Sequence, residues 1–184
     1  SECEREEYLD IVKANSNLLL HLINDILDLS RIESGKMEFI DENIQMDELC
    51  EELRQMHQMR IKNDVKIIFE RPAASLTIVS DSHRLRQLYS NLISNAIKYT
   101  EKGAITFGYK LKGDMMEGYV RDSGSGIPAE KLNNVFGRFE KLDLLKQGFG
   151  LGLSICKSIL DKMGGEIWVE SELGVGSCFY FLIP

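Results

Sequence analysis

The sequence predicts an α+β fold: a two-layer sandwich in which helices cover one mixed sheet, with a long helix at the N-terminus. Three observations favour this class. An apolar helical pattern runs over residues 1–33, amphipathic helical patterns recur at 46–63, 87–100 and 151–163, and short β-branched runs lie on both sides of the 87–100 segment. Strands and helices that follow one another without a regular βαβ repeat are typical of a single sheet with helices on one face.

Composition and charge exclude several classes of function. The 184 residues suit one ordinary domain with an appendage, and 43% hydrophobic with 28% charged residues is typical of a globular protein. A net charge of −7 without a basic block argues against nucleic acid as a partner. The four Cys and three His are scattered, which predicts reduced thiols in the cytoplasm and no metal-ligand cluster. No apolar run approaches about eighteen residues, so we expect no membrane contact by this chain, although a longer parent protein could carry an anchor.

The N-terminal helix has two apolar stripes. Leu18, Leu22 and Leu29 form one stripe, and a seven-residue seam forms the other through Leu9, Val12, Ser16, Leu19, Ile23, Ile26 and Ser30. A helix that is apolar on two sides packs against more than one neighbour, as in a four-helix bundle. One such helix cannot complete a bundle, so we expect a dimer or a chain that starts after the first bundle helix. The alternative is a helix that docks on the domain beside it.

The rest of the chain divides into short elements. We expect an extended connection at 38–43, a short helix at 130–137, and strands at 65–70, 76–80, 104–111, 115–121, 167–170 and 178–183. Asp81 or Ser82 is expected to cap the central helix, and Gly103 to end it. Lys112-Gly-Asp predicts a hairpin turn. His57 sits among the polar positions of the 46–63 helix, and we expect it at the surface rather than as a ligand.

The central helix carries a polar stripe that suits a nucleotide. Asn91, Asn95 and Lys98 recur at i, i+4 and i+7, which places them within about 60° of one another around the helix. An amide oxygen is a neutral, hard ligand for Mg²⁺, and an ammonium is a point charge for phosphate oxygens. Taken alone, the stripe is more typical of a solvated polar face.

Three further motifs follow in order. Asp122-x-Gly124-x-Gly126 comes straight after a strand and offers a fixed acceptor, which suits an exocyclic amine such as adenine N6, beside a backbone that a flat ring can approach. An aromatic pair with a cation lies at 135–139, and Gly148-x-Gly150-x-Gly152 opens a helix, where glycine amides can cradle an anion. Each glycine motif alone is more typical of a turn or a helix cap, whereas the ordered set of four motifs is much more specific.

These four motifs closely resemble the N, G1, F and G2 boxes of sensor histidine kinases. The resemblance covers residues 41–184 as the catalytic ATP-binding domain, and it extends to residues 18–39 as the second helix of the dimerisation and histidine-phosphotransfer domain. It implies a Bergerat-type ATP-binding fold and two domains, at 1–40 and 41–184. The implied cofactors are ATP and Mg²⁺.

The resemblance also implies a role for each matching residue. Asn95 is expected to coordinate Mg²⁺, Asn91 and Lys98 to contact phosphates, and Asp122 to accept from adenine N6. Residues 140–149 correspond to a mobile lid in the family. The implied catalytic residues are Asn95, Lys98 and Lys141. The implied nucleotide-binding residues are Asn91, Asn95, Lys98, Tyr99, Asp122, Gly124, Gly126, Ile127, Lys141, Gly148, Gly150, Leu151, Gly152 and Leu153.

The chain departs from the family pattern at three places. The family's phosphoacceptor is a His followed by an acidic residue, whereas His21 is followed by Leu22, so we expect ATP binding without autophosphorylation by the usual route. Phe149 stands where the family often has Thr or Ser, whose hydroxyl could help to hold the terminal phosphate. Arg121 adjoins Asp122, where it could pair with the carboxylate and compete for the adenine contact or point to solvent. We expect it to point to solvent because neighbours in a strand face opposite ways.

The implied function is that of the ATP-binding catalytic part of a sensor histidine kinase, which transfers the ATP γ-phosphoryl group to a histidine absent from this chain. The implied partners are the histidine-bearing helix of the parent kinase, a response-regulator receiver domain, and a second copy in a full-length homodimer. One alternative is a non-catalytic module in which ATP only gates docking to partners. Another is a serine kinase of the anti-sigma-factor type on the same fold.

Overall fold

The computed structural model describes residues 2–61, 64–140 and 149–184. The helices are α1 (Glu2–Glu33), α2 (Met46–Gln58), α3 (Ser82–Tyr99), α4 (Ala129–Leu132) and α5 (Gly152–Met163). The strands are β1 (Glu42–Gln45), β2 (Val65–Glu70), β3 (Thr77–Ser80), β4 (Gly103–Lys112), β5 (Met115–Asp122), β6 (Glu166–Glu172) and β7 (Gly176–Ile183).

The main sheet has five strands within the described residues, in the order β2-β4-β5-β7-β6. β2 runs parallel to β4 and the other neighbours are antiparallel, so the sheet is mixed, as predicted. β3 does not join this sheet but pairs with β1 in a separate two-stranded ribbon. That ribbon was not predicted, because the sequence indicates only an extended connection before the second helix.

The core lies between the main sheet and the helices α2, α3 and α5. Tyr89 of α3 is fully buried and meets Phe107 and Phe181 edge-on, with ring centroids 6.0 and 5.0 Å apart. Its hydroxyl donates to the Gly108 carbonyl at 2.9 Å, so its buried polar atom is satisfied. On β5, Gly118 leaves the room that these rings fill, since a Cβ there would lie 2.1 Å from Phe181. This packing holds α3, and with it the polar stripe, in a fixed position.

Helix α3 begins after Asp81 and ends before Thr100. Asp81 caps the N-terminus: its Oδ1 accepts from the Arg84 N–H at 2.9 Å, and its Oδ2 accepts from the Ile40 N–H at 2.9 Å. The helix ends at Tyr99, and Thr100 takes an extended conformation. The expectation that Gly103 ends the helix was wrong, because Gly103 begins β4.

The second helix is shorter than predicted, and His57 is buried rather than at the surface. α2 ends at Gln58, well before residue 63. His57 follows Leu53 by four positions, which places it on the buried side of α2. Its Nε2 lies 3.3 Å from Ser90 Oγ, and burial lowers the pKa of His57 to about 4. The surface prediction was wrong because it weighed the residue type above the helical position.

The helix predicted at 130–137 is a single turn. α4 covers only Ala129–Leu132, and successive turns occupy 133–137. The two asparagines that follow α4 favour turns over helix interiors, which explains the early end. α5 matches the helix predicted at 151–163, and Gly164 takes the left-handed C-cap conformation at φ 71°.

Helix α1 docks one of its two apolar stripes on the rest of the chain. Leu29 and Ile32 are buried, and Asp28 accepts from Gln87 Nε2 at 2.6 Å and lies 3.5 Å from Arg84 Nη1. The seam on the other side is exposed at Leu9, Val12, Leu19, Ile23 and Ile26. Among the described residues, no helix is both long and apolar enough to cross a membrane.

Candidate functional site

The polar stripe of α3 meets the first turn of α5. Asn91, Asn95 and Lys98 are all half-buried, and Asn91 Nδ2 donates to the Gly152 carbonyl at 3.3 Å. A Cβ on Gly152 would lie 3.8 Å from the Asn91 side chain, so the two helices approach closely here without a clash. The first and fourth motifs, 61 residues apart at this contact, are therefore neighbours in space.

The loop after β5 packs against the other end of α3. Asp122 is 8% exposed, and its Oδ1 accepts from the Gly124 N–H at 2.9 Å. The Tyr99 carbonyl, at the end of α3, accepts from the Ser125 N–H at 3.3 Å. A Cβ on Gly124 would lie 2.4 Å from that carbonyl oxygen, so only glycine allows this approach. The second motif therefore lies against the same helix as the polar stripe.

The Asp122 carboxyl is a shielded acceptor. Burial raises the pKa of Asp122, and the backbone N–H groups of Gly124 and Ser177 partly offset this because they stabilise the carboxylate. Arg121 is exposed, with its guanidinium 5.9 Å from the Tyr119 ring centroid, as expected for a residue on the opposite face of β5. No contact with Arg121 therefore competes for the carboxylate, which remains suited to accept from a ligand amine.

Two tight backbone crossings hold this loop on the β6–β7 turn. At Gly126, where φ is 68°, a Cβ would lie 2.0 Å from the Glu172 carbonyl oxygen. At Gly176, where φ is 139°, a Cβ would lie 2.1 Å from the Asp122 carbonyl oxygen. Any side chain at either crossing would push the loop away from the turn. Ile127, the last predicted residue of this motif, is buried directly after the first crossing.

The N-terminus of α5 is suited to bind an anion. Leu151 is buried at the N-cap, and no side chain of the described residues caps the helix, so its first N–H groups are available. Gly150 takes φ 73°, and its carbonyl accepts from the Phe139 N–H at 3.0 Å. Such amides, with the positive end of the helix dipole, favour a phosphate. Leu153 lies half-buried in the first turn of α5.

Two predicted site residues lie outside the described residues. These are Lys141 and Gly148, together with most of the predicted lid at 140–149. Phe149, at the edge of that segment, is half-buried and packs against the core. At the far end of the stripe, Lys98 Nζ lies 4.9 Å from the Tyr99 ring centroid.

Comparison with known proteins identifies the family. The sequence model of one protein family, the histidine kinase-, DNA gyrase B- and HSP90-like ATPases, matches residues 80–184. The chain belongs to this ATPase family. The model of the His kinase A (phospho-acceptor) domain matches residues 1–35, which cover α1.

Within this ATPase family, the chain is similar to histidine kinases over nearly its whole length. It is 39% identical to hybrid signal transduction histidine kinase B of Dictyostelium discoideum, a match that covers 98% of this chain and 10% of that protein. It is 35% identical to the sensor histidine kinase RcsC of Salmonella typhimurium, with 97% of this chain and 20% of that protein covered. The chain thus spans only 10% and 20% of the length of these two relatives.

Solved structures of histidine kinases share the fold. Full-length ShkA in complex with AMPPNP superposes with a TM-score of 0.88 at 28% identity, over 98% of this chain and 39% of that one. The nucleotide-free catalytic domain of histidine kinase ThkA superposes with a TM-score of 0.70 at 34% identity, over 80% of this chain and 96% of that one. These matches confirm the α+β fold class, and they confirm the resemblance of this chain to the ATP-binding catalytic part of sensor histidine kinases.

Two serines beside the ATPase motifs were not singled out from the sequence. Ser171 Oγ accepts from the Ile127 N–H at 2.8 Å, and the Ser177 N–H stabilises the Asp122 carboxylate. The sequence did carry a signal for both serines. Ser171 follows the apolar Val169 by two positions, and Ser177 precedes the apolar Phe179 by two. The period of two in a strand places both hydroxyls on the face of the sheet that the helices cover.

Proposed function

We propose that this chain binds MgATP between α3, the loop after β5 and the N-terminus of α5, and that it transfers the γ-phosphoryl group to a histidine on a partner helix. The phosphoryl group then passes to a response-regulator receiver domain. The observation that carries this proposal is the convergence of three motifs on α3. Asn91 meets Gly152 at 3.3 Å, and Tyr99 meets the loop of Asp122 through the Ser125 N–H at 3.3 Å.

The purine end of the proposed site is the loop after β5. The buried Asp122 carboxylate accepts from the adenine N6 amine, and Gly124 and Gly126 leave the backbone open to a flat ring. Guanine carries a carbonyl oxygen where adenine carries that amine, so Asp122 would meet an acceptor instead of a donor. The proposed site therefore favours ATP over GTP.

The phosphate end of the proposed site is the stripe of α3 with the N-terminus of α5. Asn91 and Lys98 contact phosphates. The backbone amides of α5 at Gly152 add hydrogen-bond donors that carry no formal charge. We assign the remaining nucleotide contacts to Tyr99, Ile127, Lys141, Gly148, Gly150, Leu151 and Leu153. Phosphoryl transfer depends mainly on positioning and charge neutralisation, and this set of groups supplies both.

The residues of the stripe fit Mg²⁺. The half-buried Asn95 offers a neutral oxygen ligand, while the described residues hold no group of three or more His, Cys, Asp or Glu that could bind a metal ion. Mg²⁺ is usually held by one or two protein oxygens together with substrate phosphates and water, which matches a single amide ligand. When bound there, the ion would neutralise part of the negative charge of the phosphates.

The phosphoacceptor histidine is proposed to lie outside this chain. His57 is buried, and the exposed His21 and His83 are followed by Leu22 and Arg84 rather than by an acidic residue. The exposed seam of α1 supports a helical partner from the parent kinase, within a homodimer. We propose the division into a partial phosphotransfer domain at 1–40 and a catalytic domain at 41–184, in a cytoplasmic part of the parent.

Transfer to a supplied partner tests this function. The purified chain is mixed with MgATP and a dimeric polypeptide that carries a phosphoacceptor helix, beside an Asn95→Ala variant. Acid-labile phosphate on the polypeptide, formed by the wild type and lost in the variant, supports the proposal. ATP binding without transfer to a properly dimerised partner favours the non-catalytic module instead. Acid-stable phosphoserine points to the serine kinase.

A further inference from the structure

The hydroxyl of Ser171 joins three separate segments of the chain. It lies near the end of β6, where its Oγ accepts from the Ile127 N–H at 2.8 Å. It donates to the Gly176 carbonyl at 2.9 Å, and it lies 2.9 Å from Ser177 Oγ. The loop after β5, the end of β6 and the start of β7 therefore meet at one side chain.

This hydroxyl uses its full capacity for hydrogen bonds. A serine hydroxyl has one proton to donate and two lone pairs that accept. With its proton on the Gly176 carbonyl, Ser171 Oγ can accept from both the Ile127 N–H and the Ser177 O–H. Ile127, Gly176 and Ser177 are themselves buried, so removal of the hydroxyl leaves buried polar groups without their partners.

Ser171 also lies in one row with Asp122 across the sheet. Ser177 is the register partner of Asp122 in the β5–β7 pair and of Ser171 in the β6–β7 pair. The Ser177 N–H stabilises the Asp122 carboxylate, and its Oγ contacts Ser171 Oγ. The row therefore runs from the carboxylate to the hydroxyl that holds Ile127, and Asp122 and Ile127 are the two ends of one loop.

The loop between these two ends has little freedom to move toward the turn. The Gly126 and Gly176 crossings leave no room for a Cβ, so the loop already lies at closest approach to the β6–β7 turn. What remains is movement away from the turn. The Gly174 N–H, which donates to the Ser125 carbonyl at 2.8 Å, opposes that movement in the middle of the loop, and the Ile127–Ser171 hydrogen bond opposes it at the Ile127 end. Ser171 is therefore the side chain that holds the Ile127 end of the loop against β6.

We propose that Ser171 is a positioning residue for purine recognition, which holds the loop so that Asp122 faces the exocyclic amine of the base. This inference rests on the proposed function, because it requires that Asp122 accepts a hydrogen bond from that amine. Ser171 itself touches no nucleotide. Its loss lets Ile127 and the loop relax away from β6, which misaligns the Asp122 carboxylate without changing its charge.

Discrimination of the 6-amino group tests the role of Ser171. The dissociation constants of ATP and of purine riboside triphosphate, which lacks that amine, are measured by calorimetry on the full chain with Mg²⁺. The wild type is expected to prefer ATP by roughly tenfold to a hundredfold, the ordinary effect of one charge-assisted hydrogen bond. Ser171→Ala should remove most of this preference by weakening ATP alone. Ser171→Thr, which keeps the hydroxyl, should restore it.

Two controls separate the possible failures. Ser158→Ala removes a hydroxyl that donates to the Ser154 carbonyl at 2.8 Å on α5, and it should keep the wild-type preference. Asp122→Asn should lose the preference, and if the wild type shows none, the purine assignment itself fails. If Asp122→Asn loses the preference and Ser171→Ala keeps it, the inference about Ser171 alone is overturned. Equal weakening of the binding of both nucleotides in Ser171→Ala also overturns it, since that is a structural effect.

Ser171→Cys carries the same test if the alanine variant does not fold. Its side chain is of similar size and has only a weak hydrogen-bonding group.

Discussion

Replacing Gly124 by alanine should disable purine binding while the chain still folds. A Cβ at this position would lie 2.4 Å from the Tyr99 carbonyl oxygen and 2.9 Å from Asp122 Oδ1. Carbon–oxygen contacts are normally about 3.3 Å or longer, so the loop must move by about 1 Å from the end of α3. The Tyr99 oxygen belongs to the backbone and cannot swing aside. The movement therefore falls on the loop that carries Asp122.

The size of the effect follows from the hydrogen bond that is lost. A hydrogen bond to a charged group contributes about 1.5–3 kcal/mol, and a displacement of about 1 Å takes a donor out of range. At about 1.4 kcal/mol per factor of ten, the dissociation constant for ATP should rise by roughly tenfold to a hundredfold. The free energy of unfolding should fall by about 1–3 kcal/mol, as for other overpacked sites.

Calorimetric ATP titration and urea unfolding separate these two effects, and Trp168, the single tryptophan of the sequence, reports unfolding. Gly113→Ala is the matched control, because φ there is 64° and nothing lies within 4 Å of the added Cβ. It should cost about 1 kcal/mol of stability through backbone strain and leave ATP affinity unchanged. Unchanged ATP affinity in a folded Gly124→Ala variant, or an equal loss in both variants, would refute the close purine approach.

Three further predictions follow from the contacts of α2, α3 and β5. Between pH 6.5 and about 4, the unfolded chain binds a proton at His57 that the folded chain does not, because burial lowers the pKa of His57. The free energy of unfolding should therefore fall as pH drops through that window, by up to about 3 kcal/mol. In urea melts, His57→Gln should reduce this dependence of the free energy of unfolding on pH. An equal pH dependence in both proteins contradicts the burial of a neutral imidazole. Asn91→Ala removes the hydrogen bond to the Gly152 carbonyl and should weaken ATP binding by about threefold to tenfold, whereas Ser158→Ala should not; equal affinities would show that the α3–α5 contact is unimportant. Gly118→Ala places a Cβ 2.1 Å from Phe181 and should lower the free energy of unfolding by about 1–3 kcal/mol in the same melts, and full stability would contradict the packing around Tyr89.

The long periodic elements were predictable from the sequence, because burial of one helical face or one strand face leaves a regular pattern. Helix α3 and its polar stripe are examples, and so is the hairpin at Gly113. The pairing of β1 with β3 was not predictable, since four-residue strands far apart in the chain carry too little pattern to name a partner. α4 ended early because local turn preferences outweighed a weak helical pattern.

The motifs of the site were predictable as an ordered set, but their contacts were not. Nothing in the sequence indicates that Asn91 bonds the Gly152 carbonyl, since side-chain direction depends on how α3 and α5 cross. Phe139 takes φ 60°, a conformation that its residue type disfavours and that only the surrounding chain imposes. His57 shows the converse failure, because its helical position predicts burial while its polarity argues against it.

Titration of the purified chain with ATP, with and without Mg²⁺, beside Asn95→Ala tests the proposed nucleotide site most directly. The wild type should bind ATP more tightly with Mg²⁺ than without it, and Asn95→Ala should lose that difference while it keeps the binding seen without the ion. This result would assign the metal ligand and leave the external histidine as the next question. Mg²⁺-dependent binding of equal strength in both proteins would contradict the role of Asn95, and no ATP binding by the wild type would contradict the site as a whole.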